Sequence, residues 1–295
     1  MTAPQVYLVT VFASGPNGGN PAPIVVDAQG MSDEDMRTVA RASGHESGFV
    51  LAAPPDSGCD FAIRFWVPNH EMEMCGHATV GAVWLLHRLG RLARDRVAIW
   101  THSGRVEARI ADRGSSGRQV EISQPRGHVE SLPEAEAAEA EILSVLGVSS
   151  RDLAPLPIQN ARTSRTKTLV PMKSVAILDG LTPDFSRMEE LCERIGSTGL
   201  YPYAVSDLDG RVFDARQFPK SSGYPEDAAT GIAAAALAFG LVGAELVDFS
   251  DRPIRVRQGR AMGRPSEIEV RLRIDGRGDA CGCWVGGSAR LDSDR

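Results

Sequence analysis

The chain has 295 residues, of which 42% are hydrophobic and 24% charged, a globular balance that excludes a disordered or coiled-coil protein. Its formal net charge is −6 with no polybasic run, so neither nucleic acid nor an anionic membrane is an expected partner. Five cysteines do not make a disulfide framework at this length; with no signal-like start or membrane-length apolar run, a cytoplasmic protein is expected.

Thirty glycines and 18 prolines imply many turns and argue against an all-helical fold. QVYLVTVFA reads as the opening strand, followed by a turn at Asn17–Asn20 and a second strand at IVV. In SDEDMRTVARAS, Ser32 is placed to cap a helix and Asp35 stands at the box position. ESGFVLAA and CDFAIRFWVP read as strands, and Thr79 to Leu89 as a helix ending near Gly90. VAIWTHSGRVEARIA reads as a hairpin turning at Ser103–Gly104. A polar loop then leads through a short strand into an acidic stretch. The domain boundary is expected at 112–130, which divides the chain into residues 1–118 and 119–295. The last segment is expected to pack back on the first domain.

In the second half, 134–145 reads as a helix, and TKTLVPM and SVAILD as strands. SRMEELCERIG reads as a helix closed by Gly196. YPYAVSD and VFDARQFP are strands that lead to a helix in EDAATGIAAAALAF. IRVRQG, SEIEVRLRI and CGCWVGGSARL complete the chain as strands. The two halves share an order: strand, proline, polar loop, Ala-Thr, then helix. Phe65 lies 14 residues before Thr79, and Phe218 lies 12 before Thr230. The later helix is apolar almost all round and too short to span a membrane, so strands are expected to surround it.

The two helix starts carry the candidate chemistry. A helix N-terminus offers unpaired N–H groups and favours an anion. CGHATVG and DAATGIA both place glycine and small residues there, leaving room for a carboxylate. Thr79 and Thr230 read equally well as simple N-caps. Cys75 reads either as a thiol base or as a small buried hydrophobe, and His77 as a proton shuttle or a structural imidazole. Asp227 and Glu226 read as dipole complementation or as site acids, with Asp227 the better candidate. Glu46, in SGHESGFV, sits before an apolar strand, where an acid is half-buried and suited to acid–base work; a structural role is the alternative. No histidine or cysteine spacing matches a metal motif, and GPNGGN lacks both the Walker lysine and the GxGxxG pattern. No nucleotide cofactor is expected.

VFASGPNGGNPAPIVV, SGHESGFV, RFWVPNHEMEMCGHATVGAVWLL, THSGRVEARI, PEDAATGIAAAALA, RQGRAMGRPSEIEV and WVGG together resemble the phenazine-biosynthesis PhzF-like family, within the diaminopimelate-epimerase-like fold. The resemblance implies an α+β fold of two similar domains, each a strongly curved, mostly antiparallel sheet or barrel wrapped around a central helix. It further implies a site between the domains, a homodimer, and no cofactor or metal. Glu46 matches the family's catalytic acid/base, Gly76 and His77 its Gly-His pair, and Asp227 its aspartate before the second helix. Cys75, Gly76, Ala78, Thr230, Gly231 and Ile232 then become the substrate-binding set.

A phenazine member of the family isomerises a dihydro-hydroxyanthranilate. The implied activity is a cofactor-independent shift of a proton and a double bond in a small amino-acid-like or cyclic carboxylate, in specialised (antibiotic-type) metabolism. Two departures stand out. Ala228 replaces the family's proline and Ile232 its hydroxyl residue, so the phenazine substrate itself is not implied. No cysteine lies near Asp227, which argues against the two-thiol inversion of epimerases with this fold. An amino-acid epimerase or racemase, and a non-catalytic metabolite-binding protein, are the alternatives.

Overall fold

A computed structural model describes residues 4–114 and 117–292. The chain divides into two units. Unit 1 comprises the segment up to Ser14, Gly19–Ser123 and the segment from Gly286 on; unit 2 comprises Gly15–Gly18 and Gln124–Val285.

Unit 1 opens with β1 (Tyr7–Val11), β2 (Asn20–Val25), α1 (Asp33–Ser43), β3 (Ser47–Leu51), β4 (Phe61–Trp66) and β5 (Glu71–Met72). It continues with α2 (Gly76–Arg88), β6 (Arg96–Thr101), β7 (Gly104–Asp112) and β8 (Arg118–Gln124). Unit 2 runs through β9 (His128–Ser131), α3 (Ala135–Leu146), β10 (Gln159–Arg162), β11 (Thr166–Pro171), α4 (Val175–Asp179) and α5 (Met188–Arg194). Next come β12 (Gly199–Asp207), β13 (Val212–Ala215), β14 (Phe218–Pro219), α6 (Gly231–Gly243), β15 (Ile254–Gln258), β16 (Ser266–Ile274) and β17 (Ala280–Gly287). The chain ends its described course in β18 (Ala289–Leu291), antiparallel to β1 in unit 1.

The internal repeat goes deeper than its sequence trace. Along β1–β2–β3–β4–β6–β7 the pairings are antiparallel, parallel, antiparallel, parallel, antiparallel. Along β10–β11–β12–β13–β15–β16 the same order recurs. Parallel neighbours need a crossover, and helices fill all four: α1 and α2 in unit 1, α4–α5 and α6 in unit 2. α2 touches β1 and β2 at one end of its ladder and β7 near the other, so the ladder bends around it. In unit 2, α6 touches β9, β10, β11 and β16.

These central helices are encircled because their surfaces are small and apolar. Gly231–Leu241 is buried throughout. A Cβ at Gly81 would stand 3.2 Å from a Val11 methyl, and one at Gly240 would stand 2.3 Å from a Leu169 methyl. Glycine there lets helix and strand approach closely. Among the described residues, no helix is long and apolar enough to cross a membrane.

α1 begins as its sequence predicts. Ser32 accepts from Asp35 N–H, and Asp35 accepts from the Ser32 hydroxyl and backbone N–H at 2.7 and 2.8 Å. Those two donors, the hydroxyl foremost, hold the Asp35 carboxyl below its ordinary 3.8. A lowered carboxyl stabilises the fold above the unfolded value, and that contribution disappears as pH falls through the lowered one. Asp35→Asn is therefore expected to show a stability deficit at neutral pH that shrinks below pH 3.8. Denaturant titrations of both proteins across that range check it, and a deficit constant with pH would contradict the cap.

Three local expectations are corrected. SVAILD is not a strand: Ser174 accepts from Ile177 N–H and starts α4. α2 begins three residues before Thr79, which lies inside the helix and donates its hydroxyl to Cys75 O at 2.7 Å. Thr230 does hold the N-cap position of α6, but its side chain bonds no helix amide. Neither threonine is therefore a capping side chain.

Candidate active site

In unit 1, three predicted residues meet at one end of α2. α1 closes at Gly44, in the left-handed conformation with φ 68°, and Glu46 follows directly before β3. A Cβ at Gly48 would lie 3.0 Å from Ile24 and 3.6 Å from the Ala78 methyl, so β3 passes close beneath the first turn of α2. That approach carries Glu46 to the helix start. Cys75 is the N-cap residue and donates its thiol hydrogen to Glu46 Oε2 at 2.9 Å. His77 Nδ1 lies 3.4 Å from Cys75 Sγ and 3.6 Å from Glu46 Oε2.

The cluster is largely dry: Cys75 is 3% exposed, His77 5%, and the Glu46 side chain 13%. Glu46 is thus sheltered, as an acid before an apolar strand should be. The other ring nitrogen of His77, Nε2, is buried with no hydrogen-bond partner. An unpaired buried polar atom is unfavourable by about 1–3 kcal/mol, and native proteins keep few unless a ligand satisfies them. Gly76 and Ala78 complete the first turn, whose N–H groups lack intrahelical acceptors; the Thr79 N–H already reaches Cys75 O at 3.0 Å. With Cys75 supplying no side-chain cap, those amides and the positive helix end favour an anion.

Unit 2 builds a second helix start from different parts. Asp227 accepts from the Thr230 hydroxyl, and its N–H donates to Gln217 O at 3.1 Å. Thr230 N–H is received by Gln258 Oε1 at 3.3 Å, and Gln258 Nε2 donates to Asp227 O at 2.6 Å. Tyr201 donates its hydroxyl to the same Gln258 oxygen at 3.0 Å. Burial, with the Asp227 charge adding to it, pushes the Tyr201 hydroxyl far above its ordinary 10 and keeps it a donor. Gly231 and Ile232 open α6, with Ile232 8% exposed and Ala228 1%.

The two acids before α6 have different duties. Glu226 forms a two-pronged pair with Arg216 at 2.9 and 2.7 Å, both side chains 10% exposed. Asp227 instead meets Thr230 at the helix start.

Gln258, Tyr201 and Arg216 were not singled out in sequence. Gln258 had a signal: in IRVRQ the buried positions are Ile254, Val256 and Gln258, so strand alternation puts an amide on the core face. A polar residue there needs partners, and Gln258 finds Asp227, Thr230 and Tyr201. Arg216 gave no such warning.

Among the described residues, Glu46, Cys75 and His77 are the group whose carboxylate, thiol and imidazole ligand atoms lie close enough to share an ion, within 4.8 Å of one another. Sequence spacing could not reveal this set, since 29 residues separate Glu46 from Cys75.

The profile of the phenazine biosynthesis-like protein family, PhzC-PhzF, matches residues 9–290. The uncharacterized isomerase YddE of Escherichia coli is 32% identical over 275 residues, covering 92% of this chain and 91% of that protein. The trans-2,3-dihydro-3-hydroxyanthranilate isomerase of Pseudomonas aeruginosa is 30% identical over 270 residues, 90% of each chain. The crystal structure of a Bacillus anthracis phenazine biosynthesis protein of the PhzF family superposes with a TM-score of 0.86 at 25% identity, over 99% of this chain and 97% of that one. Near end-to-end agreement in sequence and in architecture leads to one conclusion: the chain belongs to the phenazine biosynthesis-like family.

Proposed function

We propose that this protein is an isomerase that moves a proton and a double bond within a small amino-acid-like or cyclic carboxylate, without a cofactor, in specialised metabolism. One observation carries the reading: a sheltered carboxylate, Glu46, hydrogen-bonded to a thiol and beside an imidazole, at an uncapped helix start. The α2 amides at Gly76–Ala78 receive the substrate carboxylate. Glu46 takes a proton from one carbon and returns it to another of the conjugated system. His77 offers its unpaired Nε2 to a polar group of the substrate and steadies charge in the intermediate. Within unit 2, taken by itself, we assign Asp227, with Thr230, Gly231 and Ile232, to holding polar groups of a ligand at the α6 start.

The geometry favours transposition over inversion at one carbon. Two-base inversion needs its groups on opposite faces of that carbon. Cys75 Sγ and Glu46 Oε2, at 2.9 Å, are in mutual contact and leave no room for a substrate between them. As a pair they serve one face, which suits one carboxylate removing and returning a proton on the same side.

The P. aeruginosa relative names the first compound to try, trans-2,3-dihydro-3-hydroxyanthranilate. Related cyclic amino acids belong in the same panel. The test is turnover in heavy water, reading deuterium position by mass spectrometry and NMR, for the wild type and Glu46→Gln. Deuterium at a new carbon in the wild type and its loss in the variant are expected. Inverted chirality without double-bond movement would replace this reading with a racemase.

A further inference from the structure

We propose that Glu46, Cys75 and His77 form a reversible site for a thiophilic divalent cation, zinc foremost, whose occupancy shuts down the acid–base group. Only the shutdown rests on the function proposed above; the binding rests on geometry. Sulfur, nitrogen and oxygen donors converge with separations of 2.9, 3.4 and 3.6 Å. Zinc holds thiolate at about 2.3 Å and imidazole or carboxylate at about 2.0–2.2 Å; on a tetrahedron this sets neighbouring donors roughly 3.3–3.6 Å apart. Two of the three edges already have that length. The third, the sulfur–oxygen edge closed now by the thiol hydrogen, needs to open by roughly 0.6–0.8 Å once the cation takes the place of that hydrogen.

Binding moves one proton. The Cys75 thiol releases its hydrogen to solvent and becomes thiolate; Glu46 binds as carboxylate and His77 through neutral Nδ1. Thiolate and carboxylate bring two negative charges, matching a divalent ion. Three protein ligands leave a fourth position for water or an anion, as in open zinc sites. The free amides of α2 favour an anion there.

The site is not built to retain a metal permanently. A ligating histidine normally donates its second nitrogen to a partner, and loss of such a partner alone weakens binding ~10–100-fold. His77 Nε2 is buried and has none. This favours reversible, inhibitory occupancy over a structural zinc.

Two buried thiols lack such a donor set. Cys192 and Cys283 are buried, which pushes them up to about 11 and about 12, and among the described residues neither belongs to a converging donor set like the one around Cys75. Cys281 is exposed and is the control.

The test uses the full chain, stripped with a chelator and kept reduced by a phosphine, titrated with cobalt(II) as the spectroscopic substitute. Thiolate-to-cobalt absorption in the near ultraviolet with tetrahedral bands in the visible is expected, bleached by zinc in stoichiometric exchange. Cys75→Ser should remove the sulfur band and weaken zinc at least ~100-fold, since losing a ligand exceeds losing its outer partner. Glu46→Gln should keep the sulfur band with weakened affinity, and circular dichroism confirms that both variants fold. No sulfur band in the wild type, or a band that survives Cys75→Ser and disappears in Cys281→Ser, overturns the site. These readouts need no substrate, so they stand apart from the heavy-water experiment. A silent cobalt titration leaves Glu46 as the proton carrier, and an active Glu46→Gln enzyme leaves the cobalt bands in place.

Discussion

Glu46→Gln is expected to lower turnover and solvent-deuterium incorporation by ~10²–10⁴-fold, the range a positioned acid–base group supplies. The substitution keeps shape: the amide oxygen still accepts from the Cys75 thiol, and no cavity opens beside α2. What it removes is the capacity to hold and release a proton. Substrate binding should change far less, because the amides we propose as the carboxylate receivers belong to the α2 backbone. The deficit is therefore expected in kcat, with KM or the Kd of a competitive carboxylate nearly unchanged. Cys75→Ala provides the contrast. If the thiol only orients Glu46, that variant keeps most of the deuterium transfer. Wild-type rates in Glu46→Gln would remove this carboxylate from the mechanism.

Arg216→Ala is expected to destabilise the protein by about 3–5 kcal/mol, the usual effect of stripping one partner from a buried ion pair. Its guanidinium is bound to Glu226 by two hydrogen bonds. It also donates to the carbonyls of Leu178, Asp179 and Leu181 at 3.2, 3.2 and 2.8 Å and covers the Phe218 ring at 4.9 Å. Those carbonyls close α4, so one side chain ties the end of α4 to the loop that carries Asp227. Removal leaves the largely sheltered Glu226 carboxyl without its partner, with three carbonyls deprived of a donor. For a unit of this size a melting point lower by about 10 °C follows. The double replacement Arg216→Met with Glu226→Leu should recover most of that loss, because it removes both buried charges together. A single variant within about 1 kcal/mol of wild type would refute the clamp. The Asp227 segment should loosen with it, visible as faster amide exchange over 220–230.

Local signals were the most legible in the sequence. The α1 start could be read from Ser32 and Asp35 because a capping box involves four consecutive residues and nothing remote. Burial of α6 could be read from its composition, since a helix without a polar face has nowhere else to go. The duplicated order of strand, loop and helix showed in outline, and the strand pairings repeat it. SVAILD misled because a short aliphatic run has no period that separates strand from helix; Ser174 decided it. The start of α2 was misplaced at Thr79 for a related reason. Cys75 is a poor capping residue, so the true first turn carried no capping signature.

By itself the amino-acid order determined most of the segments that become helix or strand, which helix must be enclosed, and which residues are candidates for proton chemistry. Those properties depend on each residue's own polarity, backbone preference and near neighbours. The tertiary structure alone decided that Glu46 meets Cys75 across 29 positions, that Glu226 is spent on Arg216 while Asp227 turns to Thr230, and that Gln258 serves both Asp227 and Tyr201. Each contact depends on how closely strand and helix backbones approach, as at Gly48 beneath Ala78. That distance is set by the packing of every side chain between them, and no short stretch of the chain contains it.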